Sequence, residues 1–271
     1  MNGYELLHRL RGRQRVYGTL VVSTSPHWPT AVKTAGADFV FIDTEHIAID
    51  RTTLAWMCQT YRALDVAPLV RVYAPDPYLA CVALDNGAAG VIAPYVECPE
   101  QVLKLRGAVK LRPLKGDFQD GVLRGRDEMT PELSNYVHQR NAGNVLVVNI
   151  ESVPALERLD EILEIGGPDA VLVGPHDLSS SLGVPERYDS PEFLDAVRSI
   201  IARCSARGIG VGVHFWESIE RELEWAALGA NLIVHSSDIT LFSRKLAEDL
   251  DRFRRTLDET PKPAPVELAP I

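Results

Sequence analysis

Basic residues are scarce in this 271-residue chain, which has 28 Lys and Arg against 37 Asp and Glu and a formal net charge of -9. A nucleic acid or an anionic membrane needs a basic protein face that displaces its counterions. The one basic run, formed by Arg11, Arg13 and Arg15, is too short to provide such a face. We therefore expect neither nucleic acid nor membrane among the partners of this protein.

Long apolar runs are also lacking. No stretch approaches the roughly 20 residues of a membrane-spanning helix. The N-terminal residues do not show the charged, apolar and small-residue order of a signal peptide. The composition is 46% hydrophobic and 24% charged, which is typical of a globular protein with a large core. These features predict a cytoplasmic protein.

Several chemical motifs are missing. The four cysteines, at positions 58, 81, 98 and 204, stand singly, without the spacing of a zinc site or the density of a disulfide scaffold. A Gly-rich dinucleotide fingerprint and a P-loop are absent. No predicted strand carries a lysine that could form a Schiff base. These absences disfavour a cysteine nucleophile and imine chemistry.

What the chain does contain is a regular alternation of short apolar runs and helical segments. Eight runs have the length and residue types of buried parallel strands. Eight is the number that closes a (β/α)8 TIM barrel in a chain of about 250 residues. A short amphipathic helix over residues 3–11 is placed to cover the bottom of that barrel. The predicted strands are residues 17–23, 38–43, 67–72, 90–94, 144–151, 169–174, 208–214 and 230–236.

The domain organisation follows from this alternation. We predict one barrel domain over residues 1–260, ending in a C-terminal helix, and a proline-rich tail over residues 261–271 that is extended unless a partner subunit holds it. Residues 111–129 lack apolar periodicity and predict a long loop, and such loops are usually functional or mobile. We expect residues 112–126 to determine substrate specificity, although a solvated surface loop has the same pattern.

Polar side chains follow the predicted strands at the ends that meet at the mouth of a barrel. Glu151 follows the fifth run and Asp177 the sixth. Two acids from neighbouring strand ends converge on one hard divalent cation, Mg²⁺ or Mn²⁺, with a 2-oxo acid at the remaining positions. Each acid alone is equally consistent with a helix or turn cap. The pair predicts a metal site.

Two side chains that carry basic nitrogens lie at the same level. Arg71 ends the third run and is predicted to stabilise enolate charge, with an ordinary salt bridge as the alternative. His46 follows the second run and is predicted to be the base, because imidazole titrates near neutral pH. Asp85, in the helix after Arg71, is predicted to orient the imidazole of His46. The alternative for His46 is a structural loop histidine.

The motifs FIDTEH, LVRV, ALDNGAAGVIAPYV, VNIE and VGPHDLSSSLG occur in that order. This order resembles the HpcH/HpaI family of metal-dependent 2-oxo acid aldolases over about residues 18–246. The resemblance implies a (β/α)8 barrel whose C-terminal helix is exchanged between subunits, usually in a hexamer. It also implies that His46 is the catalytic histidine, Asp85 its partner, Arg71 the enolate-stabilising residue, and Glu151 and Asp177 the metal ligands.

The departures from that family pattern lie mainly where the second reactant binds. The residues RPLKG replace a small, serine-bearing loop, asparagine replaces the glutamine before the metal glutamate, and histidine stands in the G-P-x-D stretch. The substrate-binding residues predicted from these stretches are Arg112, Lys115, Asn149, Gly174, Pro175 and His176.

The sequence leaves more than one activity open. The first is an aldolase or lyase that acts through the enolate of a 2-oxo acid of the pyruvate or oxaloacetate type. The second is a condensation of acetyl-CoA with oxaloacetate, as in the branch of the family that makes citrate for siderophores. An enzyme similar to the citrate lyase β subunit or malyl-CoA lyase, and a barrel without catalytic activity, are further alternatives. A small-molecule substrate and a homo-oligomer are expected in the first three cases.

Overall fold

The computed structural model describes residues 1–257 as a closed barrel of eight parallel strands, with β8 hydrogen-bonded to β1. This is the (β/α)8 barrel that the eight apolar runs predict. The observed bounds differ from the predicted ones by at most two residues at either end. The strands are β1 (Val16–Val21), β2 (Phe39–Asp43), β3 (Ala67–Arg71), β4 (Gly90–Ala93), β5 (Val145–Ile150), β6 (Ala170–Val173), β7 (Gly210–Phe215) and β8 (Leu232–Ser237).

Helices surround the barrel, and most begin at a residue that caps their free N–H groups, as Asp50 and Asp76 do for α3 and α4. The helices of the described residues are α1 (Gly3–Arg11), α2 (Trp28–Thr34), α3 (Arg51–Ala63), α4 (Pro77–Asp85), α5 (Pro99–Lys110), α6 (Gly116–Leu123), α7 (Pro131–Asn141), α8 (Val153–Glu157), α9 (Leu159–Glu164), α10 (Pro175–Ser181), α11 (Pro191–Ala206), α12 (Ile219–Leu228) and α13 (Asp238–Thr256).

The core forms two layers because successive strand residues point to opposite faces of the sheet. One layer lies between the strands and the outer helices. The other fills the barrel and includes Phe41, Leu69 and Val147. Leu6 and Leu10 of α1 belong to this inner layer and are fully buried. Helix α1 therefore closes the bottom of the barrel, as its sequence predicts.

The same two-residue period sets the upper end of the barrel interior. Two positions after Phe41, Leu69 and Val147 come Asp43, Arg71 and Asn149, which are all buried. The interior is thus apolar up to this level and polar above it. A buried polar layer is costly unless its groups pair with one another or with a ligand. The fold therefore places the candidate site at the C-terminal mouth of the barrel.

Residues 111–129 differ from the predicted loop, because they contain α6. The physical reason is that Gly121 is the buried residue of this helix, so α6 has no apolar stripe for a sequence pattern to reveal. The tail at 261–271 and the predicted domain limit at 260 lie outside the described residues.

Two other expectations can be compared with the described residues. The four cysteines are free thiols, and burial raises the pKa of Cys58 and of Cys204 to about 12. Neither of these two thiols is suited to nucleophilic chemistry. Within residues 1–257 no helix combines the length and the apolar character needed to cross a membrane. The cytoplasmic location stays a prediction.

Candidate active site

A cavity of about 620 Å³ opens at the C-terminal mouth of the barrel. It collects side chains from the ends of β2, β3, β5, β6 and β7, which is the usual arrangement of a barrel active site. Seven of the predicted site residues line it. The lining residues are His46, Ile47, Arg71, Glu151, Gly174, Pro175, His176, Asp177, His214 and Trp216.

Glu151 is the most enclosed acid that lines this cavity. Its Oε1 accepts a hydrogen bond from Asn149 Nδ2 at 2.6 Å, and its Oε2 accepts one from the main-chain N–H of Tyr95 at 3.0 Å. Burial raises the pKa of Glu151 despite these bonds. A Cβ at Gly174 would lie 2.7 Å from Oε1. Glycine at position 174 is therefore required for β6 to approach Glu151 this closely.

Asp177 lies in the first turn of α10 and is exposed towards the same cavity. Its negative charge contributes to the raised pKa of Glu151 and of Glu45, after the larger effect of burial. Negative charges gathered at one cavity favour a cation between them. In the described part of the chain no three His, Cys, Asp or Glu side chains form a metal cluster. Any cation here would have at most two carboxylate ligands, as Mg²⁺ commonly has.

An unpaired buried atom favours such a cation. Asn149 Oδ1 is buried and has no hydrogen-bond partner among the described residues. An amide oxygen and the carboxylates of Glu151 and Asp177 are hard oxygen donors that suit Mg²⁺ or Mn²⁺. The residues present therefore fit a hard divalent cation. Their role as its ligands stays a prediction.

Arg71 is held by two acids. Its Nε and Nη2 donate to Asp43 at 2.8 and 2.6 Å, and its Nε lies 3.1 Å from Glu45 Oε2. The salt bridge considered as an alternative role is thus present. Burial alone would raise the pKa of Asp43, but the hydrogen bonds and charge of Arg71 lower it overall. Arg71 also lines the cavity, so its guanidinium can face a bound anion there.

His46 and Asp85 are not paired with each other in the described chain. His46 is partly exposed, and its Nε2 lies 3.7 Å from Glu45 Oε2. Asp85 is largely exposed at the end of α4 and forms an ion pair with Arg112. The nearest acid to His46 is therefore Glu45, because α4 directs Asp85 away from the cavity. The orienting role of Asp85 stays a prediction.

The cations of residues 112–126 are mostly paired already. Arg112 contacts Asp85, and Arg124 bridges Glu100 and Asp120. Lys115 is exposed at the start of α6 and forms no ion pair among the described residues. Neither Arg112 nor Lys115 lines the cavity. Their predicted contacts with substrate are untested by this arrangement.

Three further residues shape the site. Trp216 and His214 line the cavity and stack edge to face with ring centroids 5.8 Å apart. Tyr95 binds Glu151 through its main chain and faces Glu45 with its phenol. The periodicity of β7 could have indicated a role for His214. No sequence pattern distinguishes Trp216 or Tyr95 from surface aromatics.

Known proteins match this chain closely. The family model HpcH/HpaI aldolase/citrate lyase matches residues 17–244. A 2-keto-3-deoxy-L-rhamnonate aldolase of Salmonella typhi is 32% identical over 247 residues, which cover 90% of this chain and 91% of the relative.

Solved structures give the same result. The crystal structure of the citrate synthase SbnG superposes with a TM-score of 0.80 at 28% identity, covering 94% of this chain and 99% of the other. The citrate lyase β subunit of M. tuberculosis, solved with oxaloacetate and magnesium, shares the fold at 17% identity and a TM-score of 0.53, over 84% of this chain and 93% of the other. The matched residues include all eight strands and the mouth of the barrel, and the chain belongs to the HpcH/HpaI aldolase/citrate lyase family.

Proposed function

We propose that this protein is a metal-dependent carbon–carbon lyase or aldolase that acts through the enolate of a 2-oxo acid of the pyruvate or oxaloacetate type. The observation that carries the proposal is the grouping of Glu151, Asp177 and Arg71 in one cavity, with the unpaired oxygen of Asn149 on the residue that donates a hydrogen bond to Glu151. Hard oxygen donors beside the buried guanidinium of Arg71 suit a keto acid. The oxygens of such an acid can chelate a metal ion, and its enolate is anionic.

A divalent cation held by Glu151 and Asp177 would supply a Lewis acid for the keto oxygen. Arg71, which lines the same cavity, is proposed to stabilise the same negative charge. Asp43 and Glu45 fix its orientation, so the guanidinium needs no rearrangement as this charge develops. The polar upper layer of the barrel is therefore preorganised for an enolate.

His46 is proposed as the base that moves the proton of this reaction. Its side chain is 44% exposed at the edge of the cavity, and Glu45 lies beside its Nε2. An imidazole at the edge of the cavity can accept a proton from a substrate and return it, either directly or through water. Replacement of His46 by asparagine is expected to lower turnover without changing metal affinity.

The second reactant distinguishes two activities. Similarity to the rhamnonate aldolase at 32% identity supports an aldehyde as the second reactant. Similarity to the citrate synthase at 28% identity supports acetyl-CoA with oxaloacetate as the second candidate. Ile47, Pro175 and Trp216 form an apolar part of the cavity wall beside its polar residues. We therefore expect apolar aldehydes among the substrates if the aldolase activity is correct.

One product analysis separates these activities. The purified protein with Mg²⁺ receives pyruvate or oxaloacetate and either a panel of aldehydes or acetyl-CoA, and products are identified by mass spectrometry. Hydroxy-oxo acids identify an aldolase, and citrate with free CoA identifies the synthase. The absence of any new carbon–carbon bond with every donor and acceptor would support the non-catalytic alternative. The variant Glu151→Gln is the matched control, because it removes a charge while retaining the shape of the side chain.

We also propose that the protein is a homo-oligomer. Asp238 is the buried residue of α13, whereas Phe242, Leu246 and Phe253 are 58%, 45% and 64% exposed. An apolar groove of about 620 Å³ runs beside this helix against α2 and β1. Exposed apolar surfaces of this kind often mark contacts between proteins, and a second copy is the proposed occupant. Light scattering of the wild type is expected to show a multimer, with six subunits as the family resemblance implies. The double variant Phe242→Asp, Phe253→Asp is expected to be monomeric. A monomeric wild type would contradict this proposal.

A further inference from the structure

Tyr95 has an unusual backbone conformation for an aromatic residue. It follows β4 with φ at 52°, in the left-handed region. A bulky residue in this region is strained and persists where its surroundings require it. The side chain is 52% exposed, so burial in the core does not account for the conformation. The remaining explanation for the left-handed conformation is the set of contacts that Tyr95 makes with residues of the candidate site.

Both the main chain and the side chain of Tyr95 contact a carboxylate. The main-chain N–H donates to Glu151 Oε2 at 3.0 Å. The phenol lies beside Glu45, whose negative charge is the main cause that raises the pKa of Tyr95. Glu45 in turn lies 3.1 Å from Arg71 Nε and 3.7 Å from His46 Nε2. Tyr95 therefore connects Glu151, the predicted metal ligand, to Glu45, the acid beside Arg71 and His46.

We infer that Tyr95 is a positioning residue, which fixes Glu45 and Glu151 relative to each other through its left-handed turn. The inference rests on the proposed function and adds a residue to it. Without the phenol, Glu45 would keep its contact with Arg71 but lose its second anchor. A carboxylate held at one point rotates, and small displacements at a reacting centre reduce rates severely.

The first test compares Tyr95→Phe in two backgrounds, with deuterium exchange into the methyl group of pyruvate in the presence of Mg²⁺ as the activity. In the wild-type background we expect kcat to fall about 10-fold, within the range that small displacements cause. The KM for pyruvate and the Mg²⁺ affinity are expected to stay the same, because the main-chain N–H is retained. In a Glu45→Gln background the same change is expected to have no further effect.

The outcomes separate this inference from the proposed function. Wild-type protein that does not catalyse exchange contradicts the proposed function. An active wild type with an equally active Tyr95→Phe variant contradicts only the positioning role of Tyr95. A full 10-fold loss in the Glu45→Gln background would also overturn it, because the phenol would then act independently of Glu45.

A second test measures the strain directly and does not depend on activity. Tyr95→Gly relieves the left-handed conformation and is expected to raise Tm by about 2 °C while lowering turnover. Asp65 has φ at 54° in the turn after α3 and provides the control. Asp65→Gly is expected to raise Tm similarly and leave turnover unchanged. A lower Tm for Tyr95→Gly would show that the conformation is not strained, and equal turnover in both variants would show that it serves no function.

Discussion

Arg71 and Asp43 form a buried ion pair whose partners depend on each other for stability. Their side chains are 8% and 0% exposed. Arg71→Ala leaves the carboxylate of Asp43 buried without compensation, so we expect the free energy of unfolding to fall by about 3 kcal/mol. The double variant with Asp43→Ala is expected to recover part of this loss. Urea denaturation measures both, and a single variant as stable as the wild type would show that the pair is not coupled.

The same substitution tests the catalytic role of Arg71. Loss of a preorganised donor to developing charge costs about 3 kcal/mol, or a factor of about 100 in kcat. We expect that reduction in Arg71→Ala measured below its unfolding temperature. A near-normal kcat with a raised KM would assign Arg71 to substrate binding alone.

His214 predicts a pH dependence of stability. Burial is the main cause that lowers its pKa to about 4, and its Nε2 donates to the Ser236 carbonyl at 3.1 Å. The unfolded chain protonates this imidazole near pH 6.5, before the folded chain does. Its contribution is therefore complete above pH 6.5 and lost as the pH falls towards 4, by up to about 3 kcal/mol. His214→Gln is expected to flatten the stability profile in this range, and an unchanged profile would exclude His214 as its source.

At the residue scale, the sequence predicted where side chains lie better than it predicted which residues they contact. Asp43, Arg71 and Asn149 continue the inward period of their strands, so their place in the upper layer of the barrel was predictable. The partners of Asp85 and His46 were not, because they depend on the directions of α4 and of the loop after β2. Tyr95 was unpredictable for a different reason, since no sequence pattern indicates an aromatic residue in the left-handed region.

At the element scale, the segment over residues 112–126 is the clearest departure from expectation. Helix α6 is held to α5 by the pair between Arg124 and Glu100, and its one buried residue is Gly121. A Cβ at that glycine would meet Asp127 Oδ2 at 1.6 Å. Close backbone packing replaces apolar packing here, and hydrophobic periodicity cannot detect it. The strands were predictable because burial on both faces makes them continuously apolar.

This segment also supplies a prediction about specificity. Arg112 is already paired with Asp85, whereas Lys115 has no ion pair among the described residues. We expect Lys115→Ala to raise the KM for oxaloacetate at least 3-fold more than the KM for pyruvate, because a second carboxylate needs a second cation. Arg126→Ala is the matched control, since Arg126 pairs with Asp120 on the surface. Equal effects of Lys115→Ala on both substrates would show that the lysine is only solvated.

At the scale of the whole molecule, the protein is acidic, although the substrates proposed for its site are anions. The net charge of -9 opposes the approach of a keto acid, so local cations must outweigh the overall field. Arg71 alone cannot neutralise the acids around it. A divalent cation held by Glu151 and Asp177 would reverse the local charge and would make the cavity attractive to a 2-oxo acid. The central claim is therefore that this cation is required for enolisation.

The most direct test is the exchange of the pyruvate methyl protons with D₂O, followed by NMR, because it needs no knowledge of the second reactant. We predict exchange with Mg²⁺ or Mn²⁺, loss of exchange in excess chelator, and recovery when the metal is restored. Glu151→Gln and Asp177→Asn are predicted to abolish both metal binding, measured by calorimetry, and exchange, with the fold retained. Full exchange in excess chelator, or full exchange by Glu151→Gln without bound metal, would contradict the claim.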